Sequence, residues 1–148
     1  MLLFLDVISP IPEFFVIEDN KVIIKRKIIA NQSDKLSDNI FESYIKMYEE
    51  TKLRQKLKKV AMTIGPGSYT SLRVGAAFIS GLVISKNLSF CPISIDDIIK
   101  IKLNKKNNAN FGFFITSAKK QNFLCYINEY KKIEYVKLEK DKYSAPKK

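Results

Sequence analysis

The residues best placed to do chemistry stand together as Gly65-Pro66-Gly67-Ser68-Tyr69-Thr70-Ser71. They follow the apolar run Lys59-Val60-Ala61-Met62-Thr63-Ile64, which has the length of a strand, and they precede a long apolar stretch. A strand, a glycine turn and a helix start present free backbone N–H groups to an anion. On that logic Gly65, Gly67, Ser68 and Thr70 are the candidate phosphate contacts. The turn lacks the Gly-Lys-Ser/Thr ending of a P-loop and the spacing of a dinucleotide fingerprint, so it predicts no particular nucleotide. Asp6, the last acidic position of the first apolar run, is the residue that could hold magnesium for such a site.

Other chemistries are narrower. The chain has no histidine, which excludes histidine acid–base catalysis and histidine-ligated metal. Serines are plentiful but none has a recognisable base, and no lysine is singled out, so a peptidase is not expected. Asp96 and Asp97 follow Ser94, a helix cap, and belong to a first turn where the helix dipole favours carboxylates. Cys91 and Cys125 lie in apolar runs and read as small hydrophobes rather than as a disulfide.

The elements that must position the turn follow in order. Leu2–Val7, Phe14–Glu18 and Val22–Ile29 read as three antiparallel strands, the last two joined at Asp19-Asn20, which tolerate the positive backbone angles of a tight hairpin. Ser33 or Asp34 caps a helix to about Leu53. Its apolar positions, including Leu36, Ile40, Phe41, Tyr44, Ile45, Met47 and Tyr48, cover more than one packing surface requires. After the strand at 59–64, the helix at 70–85 has Arg73 as its only charge, so it must be covered all round. Gly75, Ala76, Ala77, Ser80 and Gly81 keep it thin. Each interior glycine costs about 1 kcal/mol against alanine, which points to close packing. Leu88–Ile93 is a fifth strand, parallel to the fourth across this helix. A short helix and a polar loop around Lys105-Lys106-Asn107-Asn108 follow. Then come strands at Phe111–Thr116, Asn122–Glu129 and Ile133–Glu139. The expected division is 1–104, 110–140 and a basic tail at 141–148.

Length and a 46% hydrophobic content suit a folded domain. No apolar run is long enough to span a bilayer, and Met1-Leu2-Leu3-Phe4-Leu5-Asp6 lacks a signal peptide's basic start, so a cytoplasmic protein without a membrane partner is expected. The formal net charge is +11. It attracts nucleic acid or another acidic partner, although the lysines are spread along the chain.

The arrangement β-β-β-α-β-α-β resembles the TsaB (YeaZ) family, partner subunits in making threonylcarbamoyladenosine (t6A) on tRNA. The matching residues are Leu5-Asp6, the turn at 65–70, Leu72-Arg73-Val74-Gly75 and Ser80-Gly81-Leu82, within about residues 1–130. The resemblance implies an α/β lobe of the RNase H-like, actin-like ATPase (ASKHA) superfold with a mixed five-stranded sheet, followed by a truncated second lobe. It further implies a non-catalytic subunit whose first two helices dock the catalytic paralogue TsaD. Leu36, Ile40, Tyr44, Met47, Leu72, Arg73, Gly75, Ala76, Ala77, Ser80 and Gly81 are then the expected partner-binding residues. A TsaE ATPase and tRNA are expected within the same assembly, a homodimer is expected in the paralogue's absence, and no cofactor is expected beyond ATP and magnesium held weakly or at the partner's site.

Three departures matter. Val7-Ile8 stand where the family commonly has Thr-Ser, removing hydroxyls from a phosphate-facing turn. Ser117-Ala118-Lys119 stands where relatives carry Asp-Ala-Arg. The catalytic paralogue's metal-binding histidines are replaced by a stretch reading Asn31-Gln32-Ser33-Asp34-Lys35-Leu36. The competing readings are a stand-alone ATPase or kinase of the same superfold and an RNA-binding subunit.

Overall fold

The computed structural model describes residues 1–31, 33–51, 53–65, 67–104, 113–116, 122–127 and 132–138. The expected loop at 105–110, the connection at 117–121 and the tail beyond 139 lie outside them. Two compact units are present, Met1–Ile95 and Asp96–Lys148. The division falls ahead of the short helix that the sequence reading placed with the first lobe.

The first unit is a five-stranded sheet with helices. Its strands are β1 (Leu2–Asp6), β2 (Glu13–Glu18), β3 (Lys21–Lys27), β4 (Lys59–Thr63) and β5 (Ser89–Ile93). They lie in the order β3-β2-β1-β4-β5. β1, β2 and β3 pair antiparallel, while β4 runs parallel to both β1 and β5. This is the mixed sheet of an RNase H-like lobe. The β2–β3 hairpin turns at Asp19 and Asn20, both with positive φ, which is what a two-residue turn between right-twisted strands requires.

Register decides which side chains meet the helices. Leu3 and Leu5 of β1 stand beside Val16 and Phe14 of β2 and beside Val60 and Met62 of β4. All six are buried in one cluster with residues of α1 (Leu36–Glu50) and α3 (Tyr69–Lys86). Phe4 points the other way and stacks on Phe15, ring centroids 5.5 Å apart. Alternation along the strands therefore commits one face of the sheet to the two helices.

Three boundaries differ from expectation. β3 ends at Lys27, because the backbone of Ile28 leaves the ladder to donate to the Pro12 carbonyl at 2.9 Å. α1 starts at Leu36 without a side-chain cap: the Asp34 carboxylate accepts instead from Ala30 and Asn31, at 3.1 and 2.9 Å, and closes the preceding loop. The same helix stops at Glu50. Thr51 is extended, and a separate short helix, α2 (Leu53–Lys56), leads into β4. α3 ends as its sequence dictates, with Asn87 in the left-handed conformation donating to the Val83 carbonyl.

In the second unit, α4 (Ile95–Asn104), which begins at the last residue of the first unit, precedes the antiparallel sheet β6 (Phe113–Thr116), β7 (Asn122–Ile127) and β8 (Ile133–Leu138). Among the described residues, no helix is long and apolar enough to cross a membrane.

Candidate functional site

The glycine turn lies where the sequence places it, and its geometry is taken up by the chain itself. Gly65 has φ +109°, and its carbonyl accepts from Ile95 N at 3.1 Å. Only a glycine adopts that backbone readily. A side chain at Gly67 would meet Ile8 Cγ1 at 3.2 Å, so the apolar Ile8 rests on the turn where a hydroxyl would be needed to help hold phosphate. Ser68 is the N-cap of α3: its hydroxyl accepts from Ser71 N at 3.4 Å, and its carbonyl accepts from Leu72 N. Thr70 is exposed in the first turn.

Asp6 is equally committed. One carboxylate oxygen accepts from Ile8 N at 3.0 Å, Ser9 N at 3.3 Å and the Thr63 hydroxyl at 3.2 Å. The other accepts from the Ser9 hydroxyl. Thr63 Oγ1 in turn accepts from Val7 N at 3.0 Å. These bonds close the turn after β1 and tie the ends of β1 and β4 together. A metal on Asp6 would have to compete with all of them. Among the described residues, no group of three His, Cys, Asp or Glu side chains is placed to hold a metal.

The candidate partner-binding residues divide into two sets. Leu36, Ile40, Tyr44 and Met47 are buried within the chain's own core. They are corrected here from a partner-facing role to a core role, and the physical reason is that α1 packs against two neighbours. Its buried face meets the sheet through Phe14, while Tyr44 also meets Phe78 of α3, at 5.3 Å between rings. The wide apolar face thus serves a sheet and a helix of the same molecule. Gly75 is corrected in the same way. A Cβ there would lie 2.9 Å from Val7 Cγ1 and 3.0 Å from Met62 Sδ, so this glycine lets α3 sit down on β1 and β4. Leu72 is half-buried.

Arg73, Ala76, Ala77, Ser80 and Gly81 are exposed. At 3.6 residues per turn, Arg73, Ala77, Ser80 and Ile84 form one stripe, and Gly75, Ile79 and Leu82 lie on the side facing the sheet. A Cβ on Gly81 would meet nothing within 4 Å. The structure adds three residues that sequence reasoning did not single out for a partner: Ile84 (83% exposed), Tyr69 (74%) and Phe41 (65%). Ile84 could have been found by extending the Ala77 stripe two turns. Phe41 could not, because only the packing of α1 shows which edge of its broad face is left over.

Tyr44 is 4% exposed, and its hydroxyl has no hydrogen-bond partner among the described residues. Such a group costs about 1–3 kcal/mol when left unpaired. Burial, with a smaller contribution from Tyr48, pushes the phenol up to about 12. Its neighbour Tyr48 meets Lys86 at the end of α3, the ammonium 3.4 Å from the hydroxyl and 5.0 Å from the ring centroid. Arg73 lies over the Tyr69 ring at 5.4 Å. α3 carries no acid, so its two cations are matched to aromatic rings and its outer side is uncharged between them. A shallow cleft of about 370 Å³ at the end of α1, lined by Tyr48, Glu49, Thr51, Arg54 and Gln55, is remote in sequence from the glycine turn and brings no candidate nucleophile or metal-ligand set.

With this geometry in view, the chain was compared with known proteins. The family described as "TsaD: tRNA N6-adenosine threonylcarbamoyltransferase" matches over residues 24–144. No curated protein matches the chain. Among solved structures, YeaZ from Pseudomonas aeruginosa superposes with a TM-score of 0.67 at 12% identity, covering 99% of this chain and 71% of that one. A protein described as uncharacterized, with similarity to peptidase YeaZ from Pseudomonas aeruginosa, gives the same TM-score and identity, covering 99% and 70%. The sequence match over most of the length, carried on the YeaZ (TsaB) fold, makes this chain a member of the TsaD family.

Proposed function

We propose that this chain is a TsaB-like, non-catalytic subunit that docks a TsaD paralogue and supports threonylcarbamoylation of tRNA adenosine 37. One observation carries the reading: α3 has no polar face, and the side turned away from its own sheet, Ala76, Ala77, Ser80, Gly81 and Ile84, is uncovered beside exposed Phe41 of α1. An uncharged helix face of this kind is a protein-binding surface. The same face would serve a homodimer in the paralogue's absence, and a TsaE-type ATPase and the tRNA would join through the assembly. The protein would act in the cytoplasm.

Absence of histidine supports a non-catalytic role, because the paralogue's metal site is built on that residue. The competing ATPase reading has less support. It asks Asp6 for a magnesium ligand and the glycine turn for a phosphate grip, and both are engaged within the chain. The test is to mix this chain with the TsaD paralogue of the same organism at micromolar concentration and follow elution. A shared, earlier peak is expected. Separate elution at all ratios, with tight ATP–magnesium binding by the isolated chain in calorimetry, would favour the ATPase.

A further inference from the structure

The buried Tyr44 hydroxyl is a donor with nothing to donate to among the described residues. Its ring occupies the seam between α1 and α3, against Phe78 on one side and Tyr48 on the other. Contacts of Tyr44 with Phe78 and of Tyr48 with Lys86 set the two helices side by side, running the same way. One turn beyond Phe78 the α3 side of this seam carries Gly81, with open space where a side chain would be. The α1 side carries Phe41 and Ile45, which share a flank with Tyr48. The seam is thus floored by an unsatisfied hydroxyl and left thin above by a glycine.

Each half would be puzzling alone. A phenylalanine would pack the seam without leaving an orphan hydroxyl, and an alanine would serve better than Gly81 in a solvent-facing helix. Together they describe a site that is completed from outside. We infer that Tyr44 is a register-setting contact of the docking face, its hydroxyl donating to a side-chain oxygen of the helix that the TsaD paralogue lays over Gly81. The acceptor belongs to a side chain because carbonyls within a helix are already bonded to their own turn. The class is an Asn, Gln, Ser, Thr or carboxylate oxygen facing the seam. This inference rests on the docking reading above, and it names the polar contact that would fix how the two subunits align.

The test is Tyr44→Phe, measured in two ways. Affinity and dissociation rate are read against the TsaD paralogue by surface-immobilised binding, and Tm is read on the isolated chain. The expected result is a 5- to 20-fold weaker complex, seen mainly in faster dissociation, with the isolated chain's Tm unchanged or raised. Affinity within twofold of the unaltered chain would overturn the inference while leaving the docking reading standing. A lowered Tm of the isolated variant would overturn it whatever the affinity, because the hydroxyl would then be satisfied inside the chain, by an ordered water for instance. Failure of the unaltered chain to bind is a separate outcome: it removes the docking reading and this inference with it.

Discussion

Gly75 and Gly81 stand on the same helix, cost the same helical propensity and do opposite things. At Gly75 a methyl group would strike Val7 and Met62, so the glycine is there to bring α3 down onto the sheet. At Gly81 a methyl would strike nothing. A glycine with no close neighbour in its own fold, in a helix with no polar face, gains its rationale only from something outside the chain. The pair shows how one short helix can be specified by two separate packing demands, one met within the fold and one left open.

The comparison breaks most sharply if the two sides of α3 are loaded in turn. Gly75→Val puts three carbons where 2.9 Å is available. We expect a loss of about 3 kcal/mol or more, from overpacking that the helix relieves only by lifting off the sheet. Urea unfolding of the isolated chain measures it. Ala77→Glu on the outer side should leave unfolding within about 0.5 kcal/mol yet weaken the complex about 100-fold, near 2.7 kcal/mol. If Ala77→Glu binds the paralogue normally, the outer face is not the docking face. Tyr44→Glu does not offer the same test, since a carboxylate buried at that position would unfold the chain before it could report on docking.

That last point marks where the sequence is legible and where it is not. The strands are announced by apolar runs, and the hairpin by Asp19-Asn20, whose residue types suit its dihedrals. The outer side of α3 is legible from a stripe of small residues on a helix with one interior charge. The role of α1 is not. An apolar face wide enough for two partners looks the same in sequence whether the second partner is another protein or a neighbouring helix, and here Phe78 takes that place for Tyr44. Ser33 and Asp34 carry the chemistry of caps, but Asp34 spends its carboxylate on the loop behind it. Likewise, the glycine turn reads as a phosphate cradle until the fold brings Ile8, far away in sequence, against Gly67.

Gly81→Ala sharpens the comparison with a smaller effect. In the isolated chain the methyl meets open space, so alanine should raise stability by about 1 kcal/mol through helix propensity alone. In the complex it would stand where the partner's backbone must approach, and affinity should fall about tenfold, or about 1.4 kcal/mol. Opposite signs in the two measurements are the expected signature of a glycine kept for an interface. A variant that is more stable and binds equally well would show that Gly81 is merely tolerated, and the contrast with Gly75 would lose its meaning.

The smallest effect concerns the floor of the seam and appears only at high pH. Burial raises Tyr44 from an ordinary value near 10 to about 12, so the folded chain holds this proton more tightly than the unfolded one. Below pH 10 both states are protonated and the contribution to stability is complete. As pH climbs from 10 toward 12 the unfolded chain ionises first, and stability must fall. For one proton the slope cannot exceed about 1.4 kcal/mol per pH unit. Lysines and other tyrosines titrate in the same range, so the useful quantity is the difference between the unaltered chain and Tyr44→Phe, followed by urea midpoints at pH 9, 10 and 11. The variant should lose less stability across that span. A difference that stays flat would mean that solvent reaches the hydroxyl, in which case it needs no acceptor from a partner.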